Sequence, residues 1–317
     1  MQTDITVLDQ LVVVDLDIHI WSARKKLSPA DLNGVTLPPD DLASLGSKRI
    51  CDPAELCIFG TLKARAVACL ERNGVRFLSG WAIAEQNLGK VTTELATIRD
   101  EFHRAKDAFL HRYEQSIQGW LARHPQWAGI IAGSVVGEEY VRSRLDFRWK
   151  VFKVSAPAAD NVPDDLQNEV AALGETLFGE VAKVATETWN RCYEGKTEIT
   201  RKALSPLKYI HDKLMGLSFI EPRVTPVMEI ISTAFHYVPK RGAIKGETLL
   251  LLQGLVSMLK NPALLLEHSQ KILDGRMLTE DLLSGMASGN LVPYHYEGIQ
   301  AVPQQAPSGI LESHGLW

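Results

Sequence analysis

Leu88, Val91, Leu95, Ile98, Phe102, Ala105 and Phe109 recur at alternating gaps of three and four. That period turns one narrow stripe of a helix toward a neighbour and leaves the remaining sides polar. A stripe so narrow buries too little surface to stand alone, so the helix needs a partner helix. After Phe109 the seam slips and resumes at Tyr113, Ile117 and Trp120, as a stutter does. The spacing predicts a helix over residues 85–123, roughly 55–60 Å long. A second seam, Leu166, Val170, Leu173, Leu177, Val181, Val184 and Thr188, predicts another long helix over 164–195. The expectation is that the two pair with each other, antiparallel, as an elongated bundle within one chain. A homodimer formed through the seam is the alternative.

Three segments change to a period of two. Over 11–21, Val12, Val14, Leu16, Ile18 and Ile20 alternate with Asp15, Asp17 and His19. Over 75–83, Val75, Phe77, Trp81 and Ile83 are expected on one face. Over 146–154, Phe147, Trp149 and Val151 alternate with Arg148 and Lys150. Helix punctuation is legible as well. Asp52-Pro53-Ala54-Glu55 reads as a capping box and Asn73-Gly74 as a left-handed stop; a stripe of Leu56, Phe59, Leu62, Ala66 and Cys69 lies between them. Ser205-Pro206, Thr225-Pro226 and Asn261-Pro262 read as helix starts, and a shorter helical segment is expected over 126–145. The predicted fold class is α+β, mostly α: a small antiparallel sheet of about three strands with an elongated helical bundle. It forms a single domain over 1–292 whose part 197–288 is helical. Residues 293–317 read as an extended, proline-containing tail. Its terminal Leu316 and Trp317 are expected to dock on the domain or to meet a partner.

Net charge is −4 and the pI about 6.2, so no global positive field draws in nucleic acid or anionic membranes. The start, "MQTDITVLDQ", lacks a signal-peptide pattern, and the apolar run at 249–259 is too short to span a bilayer. No membrane association is expected. The four cysteines form no CxxC pair. Reduced thiols and a cytoplasmic location are the expectation.

Candidate chemistry is sparse. Asp15, Asp17 and His19 share one strand face, where two carboxylates and an imidazole suit a divalent ion; cross-strand pairing with Arg76, Arg148 and Lys150 accounts for them without one. His103, Asp107 and His111 lie four apart, but the HExxH glutamate is missing, and they read as a solvated helix face. Arg142, Arg144, Arg148, Lys150 and Lys153 are interleaved with Tyr140, Phe147, Trp149 and Phe152, a composition that suits a single-stranded nucleic-acid surface. Strand alternation turns Phe147 and Trp149 away from those cations and toward a core. "WSARKKL" (21–27) and "SKR" (47–49) are smaller basic clusters that read as solvated faces. "KRGAIKGET" (240–248) lacks the spacing of a phosphate loop.

"WSARKKLSPADL…LPPDDLASLGSKRICDP" (21–53) and "ALSPLKYIHDKLMGLSFIEPRVTPV" (203–227) resemble the hallmark stretches of the domain of unknown function 3150 family. "NGVRFLSGWAI" and "EYVRSRLDFRWKVFKV" fit it too, and the resemblance covers about residues 10 to 280. It implies a setting on phages and mobile genetic elements, beside a MoxR/cobaltochelatase-like AAA+ ATPase and a von Willebrand A-type protein. It carries over no catalytic residue and implies no cofactor. In the second block Arg223 lies in a proline-bounded loop, where it could bind carbonyls or an acidic partner. The expected function is a non-enzymatic adaptor or accessory subunit acting with that ATPase. The alternatives are a nucleic-acid-binding accessory of element replication or recombination and, third, a metal-dependent hydrolase.

Overall fold

The computed structural model describes residues 5–28, 31, 46–155 and 164–288. The expectations for 293–317, with Leu316 and Trp317, lie outside them. A 3₁₀ turn, Ile5–Gln10, leads into β1 (Leu11–His19), after which β2 (Arg24–Lys26) and β3 (Ser47–Arg49) form a short ribbon. Then come α1 (Cys57–Asn73), β4 (Gly74–Phe77), β5 (Gly80–Ala84), α2 (Leu88–His111), α3 (Tyr113–Arg123), α4 (Ala128–Ala132), α5 (Glu138–Arg144) and β6 (Asp146–Phe152). The second half holds α6 (Asp164–Ala171), α7 (Leu173–Thr188), β7 (Glu198–Ile199), α8 (Ser205–Gly216), α9 (Val224–His236), β8 (Ile244–Lys245), α10 (Glu247–Leu259), α11 (Pro262–Leu273) and α12 (Thr279–Ala287). The fold is therefore α+β and mostly α.

The main sheet is antiparallel with strand order β4-β5-β1-β6, and it divides two cores. Along β1, Val12 and Val14 join Trp81, Ile83 and Phe147 under α1 and α2. Leu11 and Val13 join Val75, Phe77 and Ala82 under α7 to α12. Because successive strand residues point to opposite faces, one apolar strand serves both layers.

This layering corrects the expected pairing of the long helices. The α2 seam, Val91, Leu95, Ile98, Phe102 and Phe109, packs on α1 and the sheet, with the Phe59 ring 4.9 Å from Phe102 and the Phe147 ring 5.6 Å from it. The α7 seam, Leu173, Leu177 and Val181, lies in the other core. Each seam found a partner helix, but not the other seam. Each long helix is also broken. The first interrupts at Arg112 (φ −102°, ψ 5°), where the stutter falls. The second interrupts at Ala172 and ends in a π-helical turn, Trp189–Tyr193. The segment 126–145 holds two short helices in place of one.

The stretch 75–83 is a hairpin, not one strand. Leu78 and Ser79 make the two-residue turn, with Leu78 at φ 50°, so Val75 and Phe77 face one core and Trp81 and Ile83 the other. Gly74 is extended at φ −146°, not left-handed. Glycine is required there because a Cβ would sit 2.7 Å from the Ala82 carbonyl oxygen. Asp52 caps as expected, accepting from the Ala54 amide at 2.9 Å, and Asn261 accepts from Leu264 at 3.3 Å. Ser205 and Thr225 do not cap: a 3₁₀ turn, Arg201–Leu204, runs straight into α8, and Thr225-Pro226 lies inside the first turn of α9. Among the described residues no single helix is long and apolar enough to cross a membrane.

Candidate functional site

The two edges of the main sheet are finished differently. On β4 the outward amide of Arg76 donates to Glu180 of α7 at 3.1 Å, and Lys213 of α8 donates to the other oxygen of the same carboxylate at 2.5 Å. The Arg76 guanidinium stacks on Trp81, 3.6 Å from its ring, on the face away from Asp15 and Asp17. The expected pairing of Arg76 with those acids is thus replaced by a cation–π contact. At the opposite edge, β6 pairs with β1 alone among the described residues, and Val151 and Phe152 are 41% and 39% exposed. An edge strand of seven residues presenting open backbone and apolar side chains is a template for strand addition.

The polar face beside this edge is a lattice of matched charges. Strand register sets Asp15 opposite Lys150, Asp17 opposite Arg148 and His19 opposite Asp146. Arg148 reaches Asp146 at 2.8 Å and Asp17 at 3.7 Å, Lys150 reaches Asp15 at 4.0 Å, and His19 meets Asp17 at 2.8 Å. Among the described residues no group of three or more His, Cys, Asp or Glu is gathered to hold a metal ion. The remaining basic candidates are engaged as well: Arg142 with Glu138 at 2.6 Å, Arg144 over the Tyr140 ring, and Lys153 with Glu85 at 2.8 Å. Phe147 is buried and Trp149 half-buried, as their alternation predicts.

His103 is half-buried against Phe102, while Asp107 and His111 are exposed. Arg223 folds back on the buried Glu221, its Nε donating at 2.7 Å, which raises the arginine's proton affinity. Burial pushes the Cys69 thiol to about 11 and also raises Cys51, so neither is poised as a nucleophile.

Two constellations arise only in three dimensions. Ser232 Oγ of α9 lies 2.9 Å from His211 Nε2 of α8, and His211 Nδ1 lies 3.4 Å from Asp212. The residue types are those of a hydrolytic triad. Ser232, however, sits mid-helix, where neighbouring amides are bound within the helix and leave no oxyanion donors. The arrangement acts as a hydrogen bond between two packed helices. A cleft of about 670 Å³ opens where the π-turn meets β7 and the start of α8, lined by Glu187, Arg191, Cys192, Lys196, Glu198 and Lys202. Its charges nearly balance, which selects no ligand chemistry.

A family model described as a protein of unknown function, DUF3150, matches residues 8–261. No curated protein and no solved structure matches the chain.

Proposed function

The chain belongs to the DUF3150 family, and from that premise we propose that it is a non-enzymatic adaptor or accessory subunit that receives an extended segment of a partner along β6. The observation carrying this reading is the asymmetry of the sheet: the β4 edge is closed by Glu180, whereas the β6 edge exposes Val151 and Phe152. A peptide added there gains backbone hydrogen bonds, and apolar side chains on alternate positions supply selectivity. The partners proposed are those the family resemblance implies, a MoxR/cobaltochelatase-like AAA+ ATPase and a von Willebrand A-type protein of a phage or mobile element.

A nucleic-acid surface centred on Arg142 to Lys153 is less well supported, because each of these cations already holds a carboxylate or an aromatic ring. Hydrolysis through Asp15, Asp17 and His19 meets the same objection. The test is an N-terminally tagged pull-down from the native host, comparing the wild-type chain with the Val151→Lys/Phe152→Lys double variant. Near-stoichiometric recovery of an AAA+ ATPase by the wild type, lost in the folded double variant, is expected. Equal recovery by both would remove β6 as the docking strand. Recovery of no ATPase would sink the partnership.

A further inference from the structure

The two basic clusters at 21–27 and 47–49 meet in space. Trp21, Ala23, Ile50 and Cys51 are buried and root a two-stranded ribbon in the core beneath α1 and α2. Ala23 is held at φ 51°, unusual for a residue with a Cβ, and its carbonyl accepts from the Ile50 amide at 2.9 Å. Trp120 Nε1 donates to the Arg49 carbonyl at 3.2 Å, pinning the second strand. The ribbon's register sets Arg24 opposite Arg49, Lys25 opposite Lys48 and Lys26 opposite Ser47.

Residues directly opposite share a face, and like charges so placed repel. On one face Lys48 is neutralised by Asp31 at 2.5 Å, and Lys25 lies over the Tyr140 ring, 5.7 Å from its centroid. The hydrogen bond from Lys48 draws the Asp31 carboxyl down to about 2, so it stays ionised at neutral pH. The other face carries Arg24, Lys26 and Arg49, all exposed and none with a carboxylate partner among the described residues. Among the described residues of the ribbon, five cations thus face one carboxylate, in a chain whose net charge is −4. Arg24 opposite Arg49 is a like-charge pair with no counter-charge among the described residues, and an anion laid across that face would relieve it.

We propose that the β2–β3 ribbon binds the phosphate backbone of duplex nucleic acid through Arg24, Lys26 and Arg49. A two-stranded ribbon fits the major groove of B-DNA, about 12 Å wide, and the three cations lie on one side of it. The ribbon residues on the outer face, Arg24, Lys26, Ser47 and Arg49, include no aromatic side chain on which an unpaired base could stack, which favours a duplex over a single strand. Contacts of this kind position a protein without reading sequence. No residue is shared with the β6 edge.

The experiment is fluorescence anisotropy of the full chain against a labelled DNA duplex of two unrelated sequences, titrated with salt. Three phosphate contacts give a slope of log K against log salt of about −2.7, alike for both sequences. Arg24→Gln and Arg49→Gln should each lower the slope by about 0.9, while Arg148→Gln leaves it unchanged. Arg49→Glu pairs with Arg24 across the ribbon, so it should hold or raise Tm while weakening duplex binding at least tenfold, separating loss of binding from misfolding. The proposal is overturned if the folded wild type does not bind the duplex at low salt, or if both glutamine variants bind as the wild type does. Binding to poly-glutamate as tight as to the duplex would assign the ribbon to an acidic protein and overturn it equally.

Discussion

Lys213 and Glu180 join the two layers of the protein. The Lys213 ammonium, with only 4% of its side chain exposed, donates to Glu180 at 2.5 Å and to the carbonyl of Glu71 at 2.7 Å. One cation therefore ties α8 to α7 and to the end of α1, while the same carboxylate closes the β4 edge through the Arg76 amide.

Removing a partner from such a pair leaves a poorly solvated charge. Lys213→Met should destabilise the protein by about 2–4 kcal/mol in urea unfolding, less than a fully buried pair would cost because Glu180 keeps some solvent contact. A loss under about 0.5 kcal/mol would show the contact to be incidental.

The separation of the seams is testable by additivity. Phe102→Ala and Leu177→Ala should cost about 3–5 and 2–5 kcal/mol respectively, since each empties a fully buried site. Because the two lie in different cores, the double variant should equal the sum within about 0.5 kcal/mol. Coupling of 1 kcal/mol or more, on the order expected for touching residues, would contradict the layering.

Gly80→Ala should destabilise by about 1–3 kcal/mol, because its Cβ would lie 2.6 Å from the Val14 carbonyl oxygen and 3.0 Å from Val13 Cγ1. Gly60→Ala, with nothing within 4 Å in helix α1, should be neutral or stabilising. Thermal midpoints of the two variants, measured side by side, decide this.

His268 supplies a pH dependence. Burial, followed by the nearby Lys271 charge, lowers its pKa below 6.5, and its Nδ1 has no hydrogen-bond partner among the described residues. The unfolded chain binds this proton more readily than the folded one. Stability is therefore complete above about pH 6.5 and falls as pH drops toward the folded-state pKa. His268→Gln should flatten unfolding free energy across that interval; an unchanged slope would place the dependence elsewhere.

Thiol labelling reports the packing directly. Cys57 is exposed and Cys192 half-buried in the π-turn cleft, whereas Cys51 and Cys69 are buried with raised thiol pKa values. Maleimide should modify Cys57 and Cys192 in the native protein, and Cys51 and Cys69 only after unfolding. Early modification of Cys69 would mean that α1 does not pack as described.

Local periodicity determined much of this protein. The seam from Val91 to Phe109, the caps at Asp52 and Asn261, and the alternation of β1 and β6 were readable because each depends on residues a few positions apart. The charge pairs of Asp15 and Asp17 with Lys150 and Arg148 followed from that alternation. A period, however, states which side of an element is apolar and not what covers it. Only the tertiary structure decided that α2 meets α1 while α7 lies across the sheet, since any apolar surface of the right shape satisfies a seam. Gly74 illustrates the same limit: it stands where a stop signal is expected, yet its reason is the Ala82 carbonyl from another strand. The opposition of Arg24 and Arg49, and the bond between His211 and Ser232, join residues whose spacing carries no signal. Register between distant segments is set by the packing of their roots, here Trp21, Ala23, Ile50 and Cys51, and that packing exists only once the cores have formed.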